Sequence, residues 1–206
     1  MTSIVPDYFA ALSRLPLEAE ASNVQGQAIE TGDFVDGVIA LLRQAGENGN
    51  KLMIVGNGGS AAIASHLTVD FSKNVGIPAL AFNDAIMMSA LGNDMGQDQV
   101  FARPIAMYGK PDDVVLAISS SGNSDNIVEA VWSARNVGCK VVTMSGFRSD
   151  NRLRRLGDWN LYVPNGEYGF VEITHLAFCH AIVDLAMGWS PEAGLWTKQD
   201  SVRGAA

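Results

Sequence analysis

Basic side chains are in deficit in this 206-residue chain: 14 lysines and arginines stand against 22 aspartates and glutamates, a formal charge of −8. Such a chain lacks the positive face that neutralises a phosphodiester backbone, which argues against a nucleic-acid partner. One small phosphate held by local dipoles is still permitted. Cysteine is nearly absent. Cys139 and Cys179 both sit inside apolar runs, and no CxxC or paired Cys/His spacing marks a structural zinc site. Two buried free thiols fit a reducing compartment. No stretch reaches about 18 uninterrupted apolar residues, the length a membrane-spanning helix needs. The start, MTSIVPDYFAALSRLP, has no basic segment leading into a long apolar one. The expectation is a cytoplasmic protein that avoids membranes. Proline-rich and low-complexity linkers are missing too, so a single domain is expected over 1–206.

What is present is a hydrophobic content of 48 %, enough for a substantial core. Residues 7–47 read as helical, with Phe34, Val35, Val38, Ile39, Leu41 and Leu42 at helical spacing before GENGN stops the pattern. A core of about 50–188 follows. Short, nearly all-apolar runs (LMIV, IPALAF, DDVVLAIS, CKVVTMS, LYVP) alternate with helical segments, of which 169–189 is the longest. Apolar strands alternating with helices predict an α/β fold, a parallel sheet covered on both faces in three layers. The tail over 190–206 carries little periodicity.

Two strand-to-helix loops stand out: VGNGGSA at 55–61 and ISSSGNS at 118–124. In open α/β sheets ligands bind at the carboxyl ends of strands. A helix start there offers unpaired N–H groups and a partial positive charge to an anion. Asn57, Gly58 and Ser60 belong to the first loop, Ser119, Ser121 and Ser124 to the second. Glycines allow close backbone approach to a ligand, and serine hydroxyls donate to phosphate oxygens. Taken singly, each loop reads equally well as an N-cap and a tight turn; it is the pair that points to a phosphate cradle. GNGGS is neither GxGxxG nor a Walker sequence, which argues against dinucleotides and nucleoside triphosphates.

The three histidines all fall in two predicted helices. His66 and Asp70 lie four apart, on one face. On the last helix Glu172 and His180 are about 80° apart, whereas His175 and His180 are about 140° apart. His66, Asp70, Glu172 and His180 therefore converge if the helices meet, with His175 turned away. Two imidazoles and two carboxylates suit Zn²⁺ or another divalent metal, or an acid/base pair. The same residues equally read as a core histidine and a surface His/Asp contact.

GNGGSA, LGNDMG at 91–96, ISSSGNSDNIVEA and EITHLAFCH, in that order, resemble the SIS (sugar isomerase) domain over about 30–188, and within it the phosphoheptose isomerase branch. The resemblance implies flavodoxin-like subunits with an N-terminal helical extension, forming a homotetramer with active sites between subunits. It implies isomerisation of sedoheptulose 7-phosphate to D-glycero-D-manno-heptose 7-phosphate through an enediol(ate). Phosphate binding falls to Ser119, Ser121 and Ser124, with substrate contacts from Asn57, Ser60 and Asp94. Asp70 and His180 match the acid/base positions, and His66 and His180 match metal ligands. Asp70 and Glu172 stand where the branch has glutamate and commonly glutamine, Asn74 where it often has arginine, and Gly169 where an aspartate is usual. Some relatives keep this fold without catalysis, as scaffolds, so a sugar-phosphate-binding scaffold is the alternative expectation.

Overall fold

In the computed structural model, which describes residues 3–191, the chain forms one seven-stranded sheet flanked by helices. Helix α1 (Val5–Glu18) leads into a short hairpin, β1 (Glu20–Asn23) and β2 (Ala28–Ile29), and then α2 (Thr31–Glu47). The core follows as β3 (Leu52–Gly56), α3 (Gly59–Asp70), β4 (Ala79–Ala81), α4 (Ala85–Met95), α5 (Ala102–Tyr108), β5 (Val114–Ser119) and α6 (Asp125–Val137). It ends with β6 (Lys140–Ser145), β7 (Trp159–Tyr162) and α7 (Tyr168–Ala186).

The strand order is β2-β1-β7-β6-β5-β3-β4. Strands β4, β3, β5, β6 and β7 run parallel, while β1 is antiparallel to both β7 and β2. Numbered among themselves, the parallel strands read 2-1-3-4-5, the flavodoxin-like order, whose topological switch point here falls between β3 and β5. The two loops noted in the sequence leave those two strands side by side, since Gly56 pairs with Ile118.

Alternation along the strands builds both layers. Leu52 and Ile54 of β3, with Val114, Leu116 and Ile118 of β5, pack beneath α2, α3 and α7. Met53, Val55, Val115 and Ala117 point the other way, under α5 and α6. Helix α7 is the only one among the described residues long and apolar enough to cross a membrane. Here it is a core helix, burying Val171, Phe178, Cys179, Ile182 and Val183. The bases of β3 and β5 are tied together: Asp113, fully buried, accepts hydrogen bonds from Lys51 Nζ, Lys51 N, Asn50 Nδ2 and Lys110 N. Burial alone raises the Asp113 pKa, but these donors outweigh it and leave the carboxyl below its usual range.

The uninterrupted helical reading of 7–47 needs correction. Residues 20–29 form the hairpin, whose turn is closed by Asn23 Oδ1 accepting from the N–H groups of Gln25 and Gln27. Its strands extend the sheet at β7, a long-range pairing that helical periodicity does not encode. The last strand also starts earlier than LYVP, at Trp159. The tail reading falls mostly on 192–206, outside the described residues.

Candidate functional site

The loop after β3 turns directly into α3. In its first turn Ala61 N bonds to the carbonyls of Asn57 and Gly58, and Ala62 N to Gly58. The N–H groups of Gly59 and Ser60 are left without helical partners, as at any helix start. Gly59 lets another side chain come close: a Cβ there would overlap the carboxylate of Glu172, which rests against the N-terminus of α3. A close approach expected for a ligand is thus made by the chain's own side chain.

The loop after β5 is held by a dense set of hydrogen bonds. Ser119 Oγ accepts from Gly122 N at 3.1 Å and lies 3.2 Å from Ser124 Oγ. Ser121 Oγ accepts from Asn123 N. Gly122 has φ +64°, and a Cβ there would overlap Asn151, whose side chain donates to the Gly146 and Arg148 carbonyls. Arg152 N donates to Asn123 Oδ1, and the Arg152 guanidinium pairs with Asp125 at 2.6 Å. The backbone is fixed while the hydroxyl hydrogens keep their freedom to turn toward a ligand.

Both loops face one cavity of about 250 Å³, lined by Asn57, Gly58, Ser60, Ser119, Ser121 and Ser124, together with Gly59, Ser120, Tyr168 and Glu172. Six of the seven expected substrate-contacting residues are therefore gathered. The seventh, Asp94, lies exposed on α4, accepts a bond from Asn93 and does not line this cavity. An adjoining, mostly apolar cavity of about 420 Å³ is lined by Gly59, Ala62, Ile63, His66, Glu172, Ile173 and Leu176. Gly59 and Glu172 are common walls of the two.

Helices α3 and α7 do meet. His66 Nε2 lies 3.3 Å and His180 Nδ1 3.9 Å from Asp70 Oδ2, and the two imidazole rings stand 5.4 Å apart. The three ligand atoms all fall within 4.8 Å of one another. Glu172, about two turns from His180 along α7, stays outside this trio at the Gly59 end. His175 is fully buried and faces the sheet, with Nε2 3.1 Å from the Ser145 carbonyl. Burial pushes its pKa down to about 4, against a smaller opposing effect of that bond, so the ring is neutral near pH 7.

Sequence reading missed Asn126. Its amide and that of Asn57 bond reciprocally, at 2.8 and 2.9 Å, across the two loops. It was visible only as one more polar residue in a helix start. Its partner lies 69 residues away.

A doubly wound sheet with a hydroxyl-lined cavity at its switch point, beside a His/Asp/His cluster, is the arrangement of an α/β protein with a small-molecule site. The SIS-domain pattern matches residues 19–146, and the chain belongs to the SIS-domain family. A phosphoheptose isomerase of Pelobacter propionicus is 38 % identical over 152 residues, 71 % of this chain and 80 % of that protein. One of Aliarcobacter butzleri is 36 % identical over 145 residues, 68 % and 76 % of the two chains. The solved structure of a phosphoheptose isomerase from Francisella tularensis superposes with a TM-score of 0.76 at 28 % identity, covering 90 % of this chain and 98 % of that one.

Proposed function

We propose that this chain is a phosphoheptose isomerase, an aldose–ketose isomerase acting on sedoheptulose 7-phosphate. The observation that carries the reading is contiguity. A hydroxyl-lined cavity suited to a phosphate adjoins a cavity that reaches His66, and Gly59 and Glu172 wall both. The relatives named above are isomerases of this type.

Ser119, Ser121 and Ser124 hold the phosphate, helped by the α3 and α6 N-termini. Asn57 and Ser60 contact the sugar phosphate beside them. Binding at that distant end orients the reacting carbons. Asp70 and His180 share the proton transfers. A base takes the proton from C1 of the ketose, the C–H electron pair forms the C1–C2 double bond, and the C2 oxygen gains a proton. The enediol then loses the O1 proton to give the aldehyde, and C2 receives a proton, forming D-glycero-D-manno-heptose 7-phosphate.

The donor set of the trio fits a divalent cation such as Zn²⁺, being two imidazole nitrogens and one carboxylate oxygen. Two pairs of these donor atoms lie 3.3 and 3.9 Å apart and all three lie within 4.8 Å of one another, close enough to share one ion. His66, Asp70 and His180 would hold such an ion, and Glu172 lies outside that set. A bound cation supplies Lewis acidity toward the substrate oxygens. A homotetramer is part of the proposal: α4 has no fully buried residue, Met87 and Met88 touch the core only in part, and Ile86 is exposed.

The test is incubation with sedoheptulose 7-phosphate in deuterated water, followed by mass spectrometry. Deuterium at C1 or C2 and an aldose product are expected. Protein that binds the ketose but yields neither exchange nor product is a scaffold, and the proposal fails.

A further inference from the structure

The sugar-phosphate reading leaves one contact between the two loops without a role. Asn57 precedes α3 and Asn126 is the second residue of α6, and their side chains meet amide to amide. Each Nδ2 donates to the other's Oδ1, at 2.8 and 2.9 Å. Turning both amides over reproduces the same pair, so the arrangement is closed on itself. An asparagine side chain has two N–H donors and two acceptor lone pairs. The ring uses one donor and one acceptor on each residue. Asn57 keeps one N–H and one lone pair, both fixed in direction, and Asn57 lines the serine cavity whereas Asn126 does not.

No other side-chain hydrogen bond links these two loops among the described residues. The strands beneath are held by backbone ladders and, at their bases, by Asp113. At the tips the span between loops rests on this pair. A ligand gripped by both loops gains from a site whose width is set in advance, because ordering on binding costs affinity.

We propose that Asn126 is a positioning residue of the sugar-phosphate site. It acts through Asn57, aiming that residue's remaining N–H and lone pair at a hydroxyl of the sugar. The inference rests on the proposed function, since it takes the cavity to hold a sugar phosphate. It gives Asn126 no contact with substrate and no part in holding the phosphate, which stays with the serines.

A double-mutant cycle tests it. Asn57→Ala, Asn126→Ala and the double variant are compared in KM and kcat for sedoheptulose 7-phosphate, and in Kd for inorganic phosphate by calorimetry. Asn126→Ala should raise KM about tenfold, the scale of one or two hydrogen bonds, with kcat changed by less than about threefold. The phosphate Kd should hold within about twofold, showing an intact serine loop. In the Asn57→Ala background the second substitution should add nothing to KM. Asn126→Ser, a smaller polar side chain, serves if the alanine variant melts early. Additive effects on KM, no effect at all, or an equal loss of phosphate affinity would each overturn the positioning role. If the unaltered protein neither binds nor converts the sugar phosphate, the functional reading fails first, and this inference with it.

Discussion

At the scale of single residues, the question is what a shortened acid does. Asp70 takes hydrogen-bonding distance from His66 and stays within 3.9 Å of His180, so the carboxylate still reaches both imidazoles from the shorter side chain. Asp70→Asn should lower isomerisation by about 10²-fold or more, the usual worth of a positioned acid or base. Its phosphate Kd should be unchanged. Measured turnover near the wild-type rate would remove Asp70 from the chemistry. For the cation, His66→Ala should abolish binding of one Zn²⁺ per chain, followed by elemental analysis after dialysis. The helical angles made much of this legible: a shared face for His66 and Asp70, and a separate direction for His175. They could not reveal that Glu172 settles at the start of α3. That depends on where two helices cross, and on Gly59 leaving room for a carboxylate.

Among elements, the parallel core was written plainly, because buried strands are apolar throughout and their helices end at turn residues. Gly138 closes α6 at φ +90°, as its place in the sequence indicated. The hairpin was hidden. Glu20, Ala21 and Ala28 are poor strand formers and only Ile29 favours a strand, so pairing at the edge of β7 decides their conformation. The register of that edge is guarded by α2, where a Cβ at Gly37 would collide with the Trp159 indole. Gly37→Ala should therefore destabilise by about 1–3 kcal/mol, the cost of overpacking a filled contact, read from urea denaturation. Helix α4 was not anticipated as a separate element either: only Met87 and Met88 pack partly against the core, and Ile86 is left exposed.

Over the whole molecule, acid should act through His175 and Asp113. The folded His175 pKa of about 4 lies below its unfolded value near 6.5. The unfolded chain thus binds the proton more tightly in that interval, and stability is full above about pH 6.5 and falls as pH drops toward 4. The loss amounts to about 3 kcal/mol at most. Asp113, also lowered, adds a further decline once pH falls below the ordinary carboxylate range. Chemical denaturation between pH 7 and 4 should show the first slope, and His175→Gln should flatten it. Sedimentation should give a mass about four times that of one chain, and Ile86→Asp on α4 should reduce it, given side-chain burial of the kind obligate interfaces require. The Lys51–Asp113 tie at the base of β3 and β5 has a kinetic corollary. With the roots clamped and the ladder running on to Gly56 and Ile118, exchange should be slower within these two strands than in the loops beyond them. Amide protons of Met53 and Val115 should outlast those of Gly58 and Ser121 in deuterium exchange, so guests can come and go without the sheet ever parting.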